Sequence, residues 1–427
     1  MKMSFTLLKK SCAAFVFVLF VFYAGSSHAV EGLHGFVEGG WGLKFGDERA
    51  EKDDFNLAEA RVQLKYLYFP GFLEGLSGEV FLKGELLADG YDESVTADAR
   101  ELNLFLRPLD TLDIKAGRQV LTWGTGDYLF INDLFPKDYV SFFIGRDDEY
   151  LKLPSDAVRV WLFTDTVNLD FVLIPFFEPD NSLRGDRLSF YDGLTGEVSG
   201  ESMDRVFTEP AGSTENVELA LRAYRNVKGV EAALYLFNGF YKEPRGIKDA
   251  SREEFFYPRL QVYGFSVRGP VLGGVGNIET GYYSSRDDLD GTDGAIENPS
   301  IKYLAGYSRD LRDDLRAGVQ YLVEETLYYD RYRESLSEGT PAADEFRHLL
   351  TLRLTKLLRA QTVEASLFTF YSPSDRDVYL RPSVGYKVTD NLKVTAGANI
   401  FSGRFDHTEF GQLEGNNNVY ARVRYSF

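Results

Sequence analysis

Imidazoles are scarce in this chain, which has four histidines in 427 residues. A hydrolase would need a serine or an acid pair aligned with one of them. His407, flanked by Asp406 and Glu409, is the one candidate, and it would predict a catalytic site at a rim of the molecule. His34 and His348 add nothing to it, so no enzymatic activity is expected. Cys12 is the only cysteine, and no Cys-x-x-Cys-His haem motif occurs. Disulfides, thiolate metal sites and covalent haem are therefore excluded, and no cofactor is expected.

Oxygen ligands are plentiful. RDDLDGTDGAIEN, at 286–298, sets Asp287, Asp288, Asp290, Asp293 and Glu297 around two glycines. Hard carboxylate oxygens on a tightly turning backbone suit a weakly held calcium ion at Asp288, Asp290 and Asp293. The spacing departs from the EF-hand loop, which leaves a plain acidic rim as the alternative. A second stretch, GTGDYLFINDLFPKDYVSFFIGRDDEYLKLPS at 124–155, is crowded with aromatic and aliphatic side chains from Tyr128 to Tyr150. That much apolar surface needs burial, and long connections of this kind are usually functional. Within it, Asp127, Asn132, Asp133, Lys137 and Asp138 either set the charge of a narrow passage or cap turns and hydrogen-bond the segment in place. Asp147, Asp148 and Glu149 read as a solvated run.

The elements that position these groups are strands. Lys2, Lys9 and Lys10 precede an apolar run from Cys12 to Tyr23 that ends in Ser26, Ser27 and Ala29, so 1–29 is expected to be a cleaved secretory signal and 30–427 the folded domain. The net charge is -18, and loss of the signal lysines takes it to about -21. Such a balance argues against nucleic acid as a partner. After the signal no apolar run approaches the roughly 20 residues of a membrane-spanning helix.

Instead, segment after segment alternates. In FNLAEARVQLKYLYF (55–69), Ala58, Ala60, Val62, Leu64, Tyr66 and Tyr68 share one face, and Glu59, Arg61, Gln63 and Lys65 the other. NNVYARVRYSF (417–427) sets Val419, Ala421, Val423 and Tyr425 against Tyr420, Arg422 and Arg424. About 18 such segments follow one another, starting near residues 33, 55, 76, 99, 112, 156, 167, 214, 228, 257, 273, 299, 313, 345, 360, 377, 391 and 418. Connections of one parity are tight, as at Asp165-Thr166 and Asn226 to Gly229; those of the other are mostly long, as at 124–155 and 177–213. An up-and-down barrel in an outer membrane segregates loop length in this way, with short periplasmic turns and long external loops. The fold expected is all-β: a transmembrane antiparallel up-and-down β-barrel of about 18 strands.

In that barrel Arg347, Arg353, Arg381, Lys387, Lys393, Arg422 and Arg424 face the lumen, with Glu364 the acidic exception, and His348 faces lipid. The cations form either one wall of a transverse field opposite the acidic 124–155 loop or part of an interior ion-pair network with Glu59, Glu79, Glu85 and Glu101.

The C-terminal aromatic-x-Phe, Tyr425-Ser426-Phe427, resembles the assembly signal of the Gram-negative outer-membrane β-barrel superfamily. The resemblance implies the bacterial outer membrane as location, with its lipid and lipopolysaccharide and the barrel-assembly machinery as partners. The greasy third external loop is similar in position and character to the loop that constricts the general porins. It implies a long loop folded into the lumen. AGRQVLTWGTGDYLFINDLFPKD (116–138) also looks like a stretch of uncharacterised and, more loosely, alginate-export-like barrels. The function implied is passive diffusion of small polar or charged solutes, by a single or homo-oligomeric barrel. The alternative is a scaffold or conduit for a partner, either a cytochrome sheath or a route for polymer export. Acidic external loops would gather cations at the mouth; the less screened basic wall tips the interior towards anions.

Overall fold

The computed structural model describes residues 32–45, 54–200, 205–337 and 339–427, so the segment assigned as a signal lies outside the described residues. Eighteen strands form one sheet. In chain order they are β1 Leu33–Lys44, β2 Phe55–Tyr68, β3 Glu79–Asp89, β4 Ser94–Leu109, β5 Leu112–Val120 and β6 Pro154–Leu162, followed by β7 Asn168–Ile174, β8 Glu218–Val227 and β9 Val230–Phe240. The second half comprises β10 Arg259–Val271, β11 Gly274–Ser285, β12 Ser300–Arg312, β13 Leu315–Thr326, β14 Phe346–Leu358, β15 Val363–Ser372, β16 Asp377–Lys387, β17 Leu392–Gly403 and β18 Asn418–Ser426. Each pairs antiparallel with its chain neighbours. β1 then pairs with β18, from Phe36 opposite Ser426 to Lys44 opposite Asn418, and Gly35 and Phe427 exchange backbone hydrogen bonds of 3.0 Å across the seam. The barrel is closed and has no free edge.

The alternation in the sequence becomes the two faces of the wall. On β9, Leu234 and Leu236 point outward and are exposed, while Ala233, Tyr235 and Phe237 point inward and are buried. Short and long connections also segregate as the parity predicts. Val227-Lys228-Gly229-Val230 turns with positive φ at both central residues (55° and 84°), the two-residue turn whose twist suits a hairpin and which favours glycine second. The largest shift in a strand start is at β4, expected near residue 99 and found at Ser94. The register slips between Lys83 and Gly84 opposite Ala99 and Glu101, leaving Arg100 as an extra residue. Alternation changes sign at such a bulge, so a period-two reading stops there.

The long connections carry structure of their own. Val206–Thr208 pairs parallel with Glu254–Phe256, which in turn pairs with Gly246–Asp249, tying the β7–β8 and β9–β10 connections together. The β5–β6 connection, residues 121–153, contains one short α-helix, α1 Tyr139–Ile144, and a 3-10 turn at Asp148–Tyr150.

Candidate functional site

The 121–153 segment bonds to inward-facing side chains all round the barrel. One anchor is Glu279 on β11, 1% exposed. Its Oε2 accepts the Thr125 N–H at 2.5 Å and the Thr125 hydroxyl at 2.7 Å, and its Oε1 accepts the N–H and side-chain amide of Asn132 at 2.9 and 3.0 Å. Four donors converge on one carboxylate, which is what keeps a buried charge affordable. The wall makes room for them: a Cβ on Gly264 of β10 would lie 1.7 Å from Asn132 Oδ1. Elsewhere on the wall, Gln320 of β13 accepts the Asp127 N–H at 2.9 Å, and Asp170 of β7 accepts the Trp123 indole N–H at 2.9 Å.

The remaining polar residues of the segment hold it in shape. Asp133 pairs with Lys137 (3.1 Å) and Lys152 (3.0 Å) and accepts from the Thr122 hydroxyl. Asp138 caps α1, accepting the Ser141 N–H at 2.7 Å, and also receives the Asn181 amide at 2.9 Å. Gly145 ends the helix at φ 86°, with Tyr420 so close that a Cβ would lie 2.2 Å from its ring. Phe142 and Phe143 then reach the inner wall, their ring centroids 5.9 and 5.7 Å from Tyr379, and Phe143 lies 5.6 Å from Phe401. These rings join one buried apolar cluster that includes Phe368, Phe370 and Phe410. The lumen-facing side of this wall is therefore partly an aromatic core, not only a wet polar surface.

The C-terminal cations meet the segment directly. Arg353 pairs with Asp127 at 2.8 Å, Arg381 with Asp148 at 2.7 Å and Arg422 with Asp147 at 2.8 Å. Arg424 lies 2.7 Å from Glu38 and 3.3 Å from Glu149, which also takes Lys83 at 3.1 Å. The expected solvated run Asp147-Asp148-Glu149 is instead an ion-paired anchor, because the segment brings it onto the basic wall. Burial opposes ionisation of Asp147, but Arg422 and Arg424 outweigh it and hold the carboxyl down to about 2. Arg347 is bound elsewhere, to Glu324 (2.8 Å) and Asp375 (2.6 Å). Lys393 stands opposite Lys387 towards the short-turn end. Glu59 and Glu85 pair with Arg61, and Glu101 lies 3.9 Å from Lys83.

Asp288, Asp290 and Asp293 do not converge. Asp288 closes a turn by accepting the N–H groups of Thr292 and Asp293 at 3.1 and 3.0 Å, and Asp290 lies 3.7 Å from Arg331. Among the described residues no three His, Cys, Asp or Glu side chains are grouped to hold a metal ion. His407 stacks on Phe405 at 5.4 Å and meets Tyr191 edge-on at 6.1 Å. Tyr425 sits opposite Val37 and Leu392 in the seam strands, and Phe427 caps the seam.

Between the segment and the wall from β9 to β15 lies a cavity of about 580 Å³, bordered by Phe130, Tyr139, Asp180, Glu243, Lys302 and Glu409 among others. Asp180 is its least expected member. It accepts the Lys137 N–H at 2.7 Å, and its own N–H reaches the Lys242 carbonyl at 2.8 Å, so three connections are stitched at one point. Burial, reinforced by Glu243, pushes its carboxyl up to about 7, against Lys137 and Lys242. Glu279 and Asp180 were both missed by sequence reasoning. Glu279 had a signal, an acid alternating with Asn277, Gly281 and Tyr283 on an inward face; Asp180 sits in an irregular connection and had none.

No family model and no curated protein matches the chain. Among solved structures it is similar to OccD3 (OpdP) of Pseudomonas aeruginosa, at 12% identity over 95% of this chain and 93% of that one, with a TM-score of 0.53. A variant of the Rh. blastica porin aligns at 10% identity over 92% of this chain and 99% of the porin, with a TM-score of 0.41. The likeness is one of fold: this chain is a closed, porin-like barrel of eighteen antiparallel strands.

Proposed function

We propose that this protein is an outer-membrane channel for passive diffusion of small polar or charged solutes, and that the 124–155 loop forms its constriction. The observation that carries the reading is the pairing of an apolar outer face with an inner face bound at many points by one long connection. An exposed apolar belt of this extent is stable in lipid and not in water. A closed ladder leaves no backbone group unsatisfied there. A loop that narrows a wide barrel sets the size and charge of what passes. The partner-sheath and polymer-conduit alternative is disfavoured, because both need a wide unobstructed lumen and the 121–153 segment touches inward residues from β2 to β18.

Single-channel conductance of the purified protein in a planar bilayer tests it, beside a variant lacking 127–150. Steady conductance that rises on deletion is the expected result. Silence of both proteins would overturn the open-channel reading.

A further inference from the structure

Five of the seven cations on the inner wall from β14 to β18 carry counter-charges. Arg353 is held by Asp127, Arg381 by Asp148, Arg422 by Asp147, Arg424 by Glu38 and Glu149, and Arg347 by Glu324 and Asp375. Asp127, Asp147, Asp148 and Glu149 all belong to the 121–153 segment, so the positive field expected opposite that segment is largely cancelled by the segment itself. Lys387 and Lys393 are left. Among the described residues neither has a carboxylate within ion-pair distance.

The two lysines are direct partners across β16 and β17, and Lys393 is in turn the partner of Arg424 on β18, so three cations share one rung. Like charges directly opposite one another destabilise a sheet. The lysine pair therefore disfavours the fold slightly, and no neighbouring acid offsets it. Val384 and Tyr386 alternate with Gly385 and Lys387 and are exposed on the outer face, which turns Lys387 towards the lumen. The Lys393 stem crosses Gly385 on the same inner face, its Cε 3.0 Å and its Nζ 3.6 Å from where a Cβ would stand. Both lysines are exposed, whereas Arg381 and Arg422 on the flanking stretches of wall are buried. An inward side chain is exposed only where the lumen is open, so the 121–153 segment leaves this end uncovered. Along β16, Lys387 stands roughly 20 Å of strand from Arg381. Glu364, the acid on this stretch of wall, lies across from Gly385 and comes within ion-pair distance of neither lysine.

We infer that Lys387 and Lys393 form a site for small anions at the short-turn mouth of the lumen, and that this pair, not the arginine wall facing the 121–153 segment, gives the pore its anion preference. Fixed cationic side chains lining a pore select anions. Their field in a low-dielectric wall raises the local anion concentration over a screening length of about 10 Å at 0.1 M salt. The role in transport rests on the channel reading, whereas the attraction of anions to the pair does not depend on conduction.

The test is the reversal potential of single channels of the full barrel under a KCl gradient whose dilute side is about 0.1 M, where screening is weak. The wild type is expected to favour chloride over potassium. Lys387→Gln with Lys393→Gln is expected to bring the permeability ratio near or below one, and the same pair changed to glutamate to invert it. Reversing the gradient on one and the same channel locates the charges: selectivity is expected to be larger when the dilute solution bathes the lysine mouth, and the glutamine variant loses that asymmetry. Arg309→Gln with Lys356→Gln removes two cations that alternate onto the outer face at the same end, and is expected to leave the ratio unchanged. A wild type without chloride preference, or a preference unmoved by the glutamine variant or reduced equally by the outer-face variant, overturns the site. If all the proteins are silent in bilayers, chloride NMR line widths with the barrel in detergent decide. Greater broadening by the wild type than by the glutamine variant upholds the site and rejects the channel, and equal broadening overturns both.

Discussion

The N–H and the side-chain amide of Asn132 donate to the same oxygen of Glu279, at 2.9 and 3.0 Å, while Thr125 occupies the other. One buried carboxylate on β11 thus holds both ends of an eight-residue turn of the 121–153 segment. Each hydrogen bond to a charged acceptor contributes roughly 1.5–3 kcal/mol. Glu279→Ala removes the acceptor from four donors and leaves them buried. The expected outcome is a released segment, seen as noisier and larger single-channel currents and as protease nicking within 121–153. Glu279→Gln keeps one acceptor and is expected to fall between. Unchanged currents and unchanged nicking in the alanine variant would show that Glu279 does not hold the segment.

Gly264 supplies an independent check on the same contact. Its missing Cβ is where Asn132 Oδ1 sits, 1.7 Å from the ideal position. Gly264→Ala must therefore expel the Asn132 side chain, and its currents are expected to resemble those of Glu279→Ala. Adding Asn132→Gly empties the space and is expected to recover part of the loss, a coupling that only neighbouring sites produce. Additive effects in the double variant would argue that the two residues do not meet.

The barrel was legible because its wall repeats one physical rule: exposed apolar side chains on the outer face, polar groups or loop contacts on the inner one, period two. β1, β2, β5, β16 and β18 begin at the residue that the alternation indicates. Where the rule breaks, at the β4 bulge around Arg100, the reading broke too. The site was less legible, since its partners are set by how a long connection folds across the barrel. Composition alone made Asp147-Asp148-Glu149 look solvated. Their arginine partners lie more than 230 residues away in the chain, at a distance no local pattern spans. The pairing of Val206–Thr208 with Glu254–Phe256 was likewise invisible, because three-residue strands leave no periodic trace.

Asp147 ties its stretch of the loop to β18, and the tie is pH-dependent. Its carboxyl lies at about 2 beside Arg422 and Arg424, against an ordinary value of 3.8. A depressed acid contributes its stabilisation above the ordinary value and loses it as pH falls through the depressed one. Loop anchoring by Asp147 is therefore expected to be constant from neutral pH to about 4 and to fade between about 4 and 2. Arg422→Ala with Arg424→Ala removes the partners and returns the Asp147 carboxyl towards its ordinary value, so the fade is expected to disappear. Tryptophan fluorescence reports it, since Trp123 leads into the segment and is bonded to Asp170. A wild-type titration identical to that of the double variant would remove Asp147 from the anchor.

Asp180 shifts the other way, from an ordinary 3.8 up to about 7. The groups that face it are Lys137 and Tyr139 from the 121–153 segment, Lys242 and Glu243 from the β9–β10 connection, and Tyr257 before β10. Burial and Glu243 favour the neutral acid more than the two lysines favour the anion. In the folded protein Asp180 therefore holds a proton between about 4 and 7 that the unfolded chain has already released, so stability falls as pH rises through that window and levels off above it. Glu409 is also raised, by burial and by Glu324 against Arg347, so the wild-type slope is a sum. The difference between wild type and Asp180→Asn isolates one group. The asparagine retains an oxygen for the Lys137 N–H and carries no charge. Its midpoint of thermal unfolding is expected to match the wild type near pH 4 and to exceed it increasingly towards pH 8. Parallel stability curves for the two proteins from pH 5 to 8 would show that Asp180 is ionised throughout, and that the cavity already compensates its charge.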